Sequence, residues 1–264
     1  MKRRSLLLSL IAVSAAAACT FSGNAMAEDA LSAILARKVI RVAVPTDYPP
    51  YGSVGTDMTP RGYDIDMAAL VAKKLGVKLE LIPVTGPNRV AYLQTKKSDL
   101  TISSLGKTPE REKVIDYSIA YAPFFDAVFG KQEIIAKNYN ELTGKVIAVT
   151  RGSMQDEELS RLAPGAVIKR FEDNNGTVSA FLAGQAQMFA TGTAVAATIK
   201  AKDPSVSMDL KVILSNAPCY IGVQKGEPQL VAKLNEIIRE AKSSGAIDEM
   251  SKKWLGAPAG PLPE

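Results

Sequence analysis

Two arginines stand 22 residues apart, Arg89 in GPNRVAYLQ and Arg111 in KTPERE, each beside a stretch with helical spacing. A guanidinium is planar, permanently charged and bidentate towards carboxylates, so two of them brought into one cleft repel unless an anion lies between them. Ser103-Ser104-Leu105-Gly106 leads into Thr108-Pro109-Glu110, a hydroxyl cap with Pro at the first helical position. Free backbone N–H groups there and the Arg111 guanidinium can grip one carboxylate together. The alternative for each arginine is ordinary solvation, with Arg111 paired to Glu110 or Glu112 and Arg89 on a helix face. Tyr48 and Tyr51, in the TDYPPYG loop that also holds Asp47, can wall the apolar part of a ligand or stack on a cation, or else cover a core edge. Thr150-Arg151-Gly152-Ser153 reads as a strand-to-helix turn in which Gly152 permits a tight bend and Ser153 caps the helix, an arrangement suited to an anion.

Other chemistries are excluded by composition. The chain has no His, which removes imidazole triads, His-ligated zinc and His pH switches. Only Cys19 and Cys219 are present, so there is neither a disulfide framework nor a thiol pair at metal-ligand spacing. No metal and no cofactor is expected. At 264 residues, 47% hydrophobic and 22% charged, the chain can bury a real core in one or two domains.

The elements that would position these residues alternate. Val39 to Val44 is a nearly continuous apolar run, as for a strand buried on both faces, and the paired prolines after it make a loop. Tyr63 to Leu75 carries Met67, Leu70, Val71 and Leu75 on one helical face and ends at Gly76. Val77 to Ile82 is a strand, Val90 to Lys97 a helix, Asp99 to Ser103 a strand, and Pro109 opens another helix. The order restarts with a strand from Val146 to Thr150, a helix from about Met154 to Leu162, a strand from Val167 to Phe171 and a helix from about Thr177 to Ala183. Gln187 to Ala190, Lys211 to Leu214 and Cys219 to Gln224 are extended, and Thr193 to Lys200, Pro228 to Lys242 and Ile247 to Leu255 are helical. Such an order predicts an α/β protein with mostly parallel sheets, ligands binding off the carboxyl ends of the strands, and two lobes facing one cleft.

MKRRSLLLSLIAVSAAAACTFSGNAMA has a basic start, an apolar stretch too short to span a bilayer and small residues at Ala25 and Ala27, so residues 1–27 read as a secretory signal cleaved after Ala27. Acylation of Cys19 is the alternative, weakened by Ala16 where a larger aliphatic is usual. Removing Lys2, Arg3 and Arg4 takes the formal charge from +5 to +2, too small a bias to point to nucleic acid. Cys219 would then be the sole thiol, a buried apolar residue between Pro218 and Tyr220.

Taken together, TDYPPYG, GYDIDMAALVAKKLG, YLQTKKSDLTISSLGKTPEREKVIDYSIAYA, LTGKVIAVTRGS and the terminal KKWLG resemble the periplasmic amino-acid-binding proteins that feed ABC importers. The resemblance implies a two-lobed periplasmic binding protein type 2 fold, with lobe one at 28–124 plus 219–264, lobe two at 125–218, and two crossing strands between them. It implies that Arg111 clamps a ligand carboxylate, that Ser104 to Gly106 flank it, that the turn at Thr150 and Ser153 meets it from lobe two, and that Arg89 meets a second, side-chain carboxylate; hinge closure is expected to bring Asn174 in beside Thr150 and Ser153. The departures are Gly106, where a hydroxyl is usual, and Gly192, where an acid holding the ligand's ammonium is usual, leaving Asp47, Asp173 or backbone carbonyls as substitutes. The implied function is capture of a small amino acid or related carboxylate, acidic by preference, by a periplasmic monomer that delivers it to an inner-membrane ABC importer permease. Two rivals are a cyclohexadienyl dehydratase-like enzyme, suggested by the Asp47-Tyr48-Pro49-Pro50-Tyr51 loop, and a ligand-sensing module for a separate receptor. The enzyme needs a general acid that TGTAVAAT, residues 191–198, does not offer, so no enzymatic activity is expected.

Overall fold

The computed structural model describes residues 29–264; the signal segment and Cys19 lie outside the described residues. Helix α1 (Ala30–Arg37), capped by the Asp29 carboxylate, leads into β1 (Val39–Val44) and three short strands, β2 (Asp47–Tyr48), β3 (Gly52–Val54) and β4 (Pro60–Arg61). Next come α2 (Tyr63–Leu75), β5 (Lys78–Pro83), α3 (Arg89–Gln94), β6 (Leu100–Thr101), the single turn α4 (Pro109–Glu112), β7 (Ile115–Ala122) and β8 (Phe125–Gly130). Strand β9 (Val146–Thr150), α5 (Met154–Leu162), β10 (Val167–Phe171), α6 (Asn174–Leu182), β11 (Met188–Gly192), α7 (Thr193–Lys202) and β12 (Asp209–Asn216) follow. Strand β13 (Cys219–Gln224), α8 (Pro228–Ser243) and α9 (Ala246–Leu255) complete the chain.

Two five-stranded sheets result. One has the order β5-β1-β6-β13-β7, the other β10-β9-β11-β8-β12, and β2-β3-β4 form a small sheet of their own where the sequence predicted only a loop. The β1, β5 and β6 ladders and the β9, β10 and β11 ladders are parallel, as expected. Strands β13 with β6 and β7, and β8 with β11 and β12, are antiparallel. Each sheet is therefore mixed. The chain passes from the first sheet to the second between Ala122 and Phe125, and returns between Asn216 and Cys219.

Burial explains the elements. Ile40, Val42, Ala43 and Val44 of β1 are fully buried between helices, which is why their run is apolar on both faces. Helix α2 turns Tyr63, Met67, Ala68 and Val71 into the same core, α8 adds Leu230, Leu234, Ile237 and Ile238, and Cys219 is a buried free thiol among them. The second sheet carries separate cores on its two faces, one around Ile147, Val149 and Leu159, the other around Phe129, Phe181 and Phe189. Among the described residues no helix is long and apolar enough to cross a membrane.

The junction that matters for the cleft is the start of α2. Its first free N–H groups are taken by the tyrosine loop, Tyr63 N–H donating to the Pro50 carbonyl at 3.0 Å and Asp64 N–H to the Tyr51 carbonyl at 2.8 Å. Gly62, with φ of 142°, makes this approach possible, since a Cβ there would run into the Tyr51 backbone carbonyl. Gly62→Ala should cost at least about 2 kcal/mol by combined strain and overlap, lowering the Tm by several degrees in a thermal melt. A melt indistinguishable from the parent's would show that the junction yields without cost.

Candidate functional site

Every segment expected to carry chemistry emerges at the carboxyl end of a parallel strand, where βα loops from the two sheets meet. From the first lobe come Tyr48 after β1, Arg89 after β5, and Ser104 and Gly106 after β6. The second lobe contributes Ser153 after β9 and Asn174 after β10. All six line one cavity between the lobes. Phe124, Met154, Gln155 and Ala217 complete its wall. Its volume is about 10 Å³, room for roughly one water.

Arg89 is the charged residue of the lining. It is 7% exposed, its Nε has no hydrogen-bond partner, and it joins no ion pair among the described residues. Burial and then the nearby Arg111 charge lower its proton affinity, against weaker pulls from Tyr48, Asp64 and Asp47. A buried cation in this state is costly unless an anion reaches it.

Arg111 sits differently. It too is buried, but its Nη1 donates to the Gly106 carbonyl at 3.0 Å and its Nη2 to the Gly152 carbonyl at 2.9 Å and to Glu157 Oε1 at 2.7 Å. It straps the two lobes together outside the cavity lining, and its acidic partner is Glu157 of α5 rather than Glu110 or Glu112. Two more residues of the first lobe, Asp47 and Tyr48, bond across the cleft. The Asp47 carboxylate accepts from Asn174 N–H at 2.8 Å and Asn174 Nδ2 at 3.0 Å. The Tyr48 hydroxyl accepts from Gly192 N–H at 3.0 Å and from Thr191 Oγ1 and Gln155 Nε2 at 3.2 Å each.

The structure does not bring four of the expected residues to the cavity wall. Asp47 and Arg111 act across the cleft as just described. Thr150 stands behind Asn174, donating to its Oδ1 at 2.8 Å. Tyr51 is packed in the core with its hydroxyl on the Pro123 carbonyl at 3.1 Å, so of the two tyrosines only Tyr48 lines the cavity.

Ser104 is held at φ of 44°, a strained value for a residue with a side chain. Asp64, in the first turn of α2, holds it there: the carboxylate accepts from Ser104 N–H at 2.8 Å, from Ser104 Oγ at 3.0 Å and from the Tyr121 hydroxyl at 2.5 Å. Burial outweighs these bonds and pushes the Asp64 carboxyl up to about 6.

Both glycine departures have steric causes. A Cβ on Gly106 would lie 2.7 Å from Met154 Cγ of the opposite lobe, and one on Gly192 would lie 2.6 Å from Phe124 Cζ. Directly opposite Gly192 in the β8–β11 register stands Asp126, fully buried, accepting from Gln155 Nε2 and from Ser215 Oγ at 3.3 Å. Burial pushes the Asp126 carboxyl up to about 7, with Glu158 adding to the effect and the two hydrogen bonds and Arg89 opposing it. Sequence reasoning missed Phe124, Asp126, Met154 and Gln155; the only signal for them was adjacency, to the Ser153 cap for two and to the crossing segment for the others. Among the described residues no group of three acids or thiols is placed to hold a metal.

The chain matches the sequence profile of the bacterial extracellular solute-binding proteins, family 3, over residues 40–257. It is 27% identical over 260 residues to the ABC transporter glutamine-binding protein GlnH of Bacillus subtilis, covering 94% of this chain and 95% of that protein. The solute receptor for L-cysteine of Neisseria gonorrhoeae superposes with a TM-score of 0.80 at 26% identity, covering 85% of this chain and 93% of that one. The ancestral amino acid-binding protein AncCDT-1, a precursor of cyclohexadienyl dehydratase, superposes with a TM-score of 0.77 at 30% identity, covering 86% and 99% respectively.

The buried carboxyl at Asp126 has a measurable signature. Its folded value of about 7 exceeds the unfolded value of about 3.9, so the folded protein binds the extra proton and loses stability as the pH rises between those limits. Asp126→Asn should flatten that stretch of the pH–stability curve and raise the Tm at pH 8. A variant with the parent's pH dependence would show that the charge is carried without cost.

Proposed function

The chain belongs to the bacterial extracellular solute-binding proteins, family 3, and from that premise we propose that it captures a small amino acid or related carboxylate outside the cytoplasm and delivers it to an ABC importer. The observation that carries the ligand class is Arg89, a buried guanidinium on the cavity wall with an unpartnered Nε and no ion pair. Its destabilisation by Arg111 is relieved by an anion between the two, which favours an acidic ligand. Arg111 would take part when ligand competes with Glu157 for its guanidinium. A charge-assisted hydrogen bond is worth about 1.5 to 3 kcal/mol and micromolar binding needs about 8, so Arg89 acts with Ser104, Tyr48, Ser153 and Asn174 rather than alone.

The mechanism is hinge closure. Ligand docks on the first lobe while the cleft is open, and the second lobe closes about the two chain crossings, bringing Ser153 and Asn174 onto the ligand and engaging the Asp47–Asn174 and Tyr48–Gly192 contacts. Closed and open forms present different surfaces, and a permease that reads the closed one responds to ligand because ligand shifts the population. GlnH is named for glutamine and the gonococcal receptor for L-cysteine, so amino acids are the solutes with which to begin. The likeness to AncCDT-1 keeps a dehydratase as the second reading, although the cavity lining offers no carboxyl group as general acid.

A thermal-shift panel of amino acids and small carboxylates should show anionic members raising the Tm, and Arg89→Gln should weaken the best of them by at least about tenfold. A panel in which only cationic amino acids stabilise the protein would overturn the reading. Incubation with prephenate should give no aromatic product.

A further inference from the structure

Two spaces lie between the lobes, and one side chain separates them. The first is the cavity of about 10 Å³ that Arg89 lines. The second is a groove of about 720 Å³ between α4 and α5, lined by Lys107 and Glu110 of the first lobe and by Glu157, Glu158 and Arg161 of the second. Most of these side chains are exposed, so the groove opens to solvent. Every residue of the cavity wall is buried except Met154, which is half-buried. Met154 lines the groove as well.

The frame around Met154 is fixed. Arg111 donates to the Gly106 carbonyl through Nη1 and to the Gly152 carbonyl through Nη2, and so sets the gap between the two backbones. On one side of the gap the Leu105 carbonyl accepts from Tyr220 N–H at 3.0 Å, and on the other the Ser153 hydroxyl accepts from Asp156 N–H at 3.2 Å. Gly106 presents no side chain to the gap, and the methionine lies along the bare place. A Cβ on Gly106 would stand 2.7 Å from Met154 Cγ, 3.0 Å from Sδ and 3.4 Å from Cε. An unbranched thioether with three rotatable bonds fills such an irregular space without a fixed shape of its own.

Resting on the reading that Arg89 holds one acid end of the solute, we propose that Met154 is the specificity-determining residue that sets how long that solute can be. Packed against Gly106, it shuts the cavity off from the groove, and a chain that overruns the cavity has to displace it. The site then takes compact carboxylates, with the length limit set at the mouth by a side chain of the second lobe and not at the Arg89 end.

The test is isothermal titration of the intact protein with two homologous series, L-aspartate to L-α-aminopimelate and succinate to pimelate. On the unaltered protein the affinity should fall by at least about tenfold from the best short member to the longest. Met154→Ala should move the ratio of longest to shortest by at least about tenfold in favour of the longest, whereas Met154→Leu, close in volume, should keep the parent's order. Gly106→Ala puts a methyl group where Met154 packs and should weaken the best short member by at least about fivefold, and adding Met154→Ala should recover most of that loss. The inference is overturned by long members binding the unaltered protein as tightly as short ones, by Met154→Ala weakening all members equally or leaving their ratio unmoved, or by the losses of Gly106→Ala and Met154→Ala simply adding. Any of these with binding still weakened by Arg89→Gln would remove the gate and leave the carboxylate reading intact. Binding insensitive to Arg89→Gln, or no binding from either series, would remove both. The length series on the unaltered protein does not depend on whether any variant folds.

Discussion

A guanidinium shut away from water with no counter-ion is the constraint around which the cleft is arranged. Transferring such a group into the interior is expensive, and a protein selected only for stability would replace it or pair it. Here Arg89 is fixed by the turn after β5 and its backbone carbonyl accepts from Thr101, while its charged end is left to the space between the lobes. The fully buried Asp126 poses the same problem with the opposite sign. Local rules broken at one place, amid helices that are otherwise well capped and strands that are well buried, support the proposal that stability has been given up there for recognition.

In the proposed hinge mechanism closure is held by few bonds, and they are short-range and polar. The Asp47–Asn174 pair, the Tyr48 hydroxyl in its ring of donors and the Arg111–Glu157 strap each join a loop of one lobe to a helix start or strand end of the other. Polar contacts of this kind contribute modestly net of the water they displace, so the closed and open forms lie within reach of each other. A ligand that adds even two charge-assisted bonds in the closed form alone is enough to bias such a balance. Arg111 has a double aspect in this scheme, because the group that straps the lobes is also the charge that acts most strongly on Arg89.

Most of the fold was legible in the residues. The helix Tyr63–Leu75 with its αL Gly76 cap, the strands Val146–Thr150, Val167–Phe171 and Cys219–Gln224, and the helix Met154–Leu162 occur at the positions their periodicity predicts. What periodicity does not carry is pairing at a distance. Strands β7 and β8 are buried along nearly all their length and are separated only by Pro123 and Phe124, so IDYSIAYAPFFDAVFG shows neither alternation nor a helical stripe, and their antiparallel partners come from roughly 60 to 110 residues further along. The site followed the same division. Ser104, Gly106, Ser153, Asn174, Tyr48 and Arg89 line the cavity, and they were singled out because strand-to-loop junctions are visible locally. Asp126 and Phe124 were missed because what they face is decided by the other lobe, and Arg111 was read as gripping a carboxylate or pairing with Glu110 or Glu112 because Glu157 lies 46 residues further along.

The second sheet is built from one unbroken stretch of chain, whereas the first needs both ends of the molecule. Strand β13 occupies an interior place between β6 and β7, and residues 219–224 that form it come after everything in the second lobe. A chain that emerges from its amino end therefore exposes more than four-fifths of its length before the first sheet can be completed. The inserted half is the part able to condense early, and the half with the larger core waits, its central gap open, for a segment that arrives near the end.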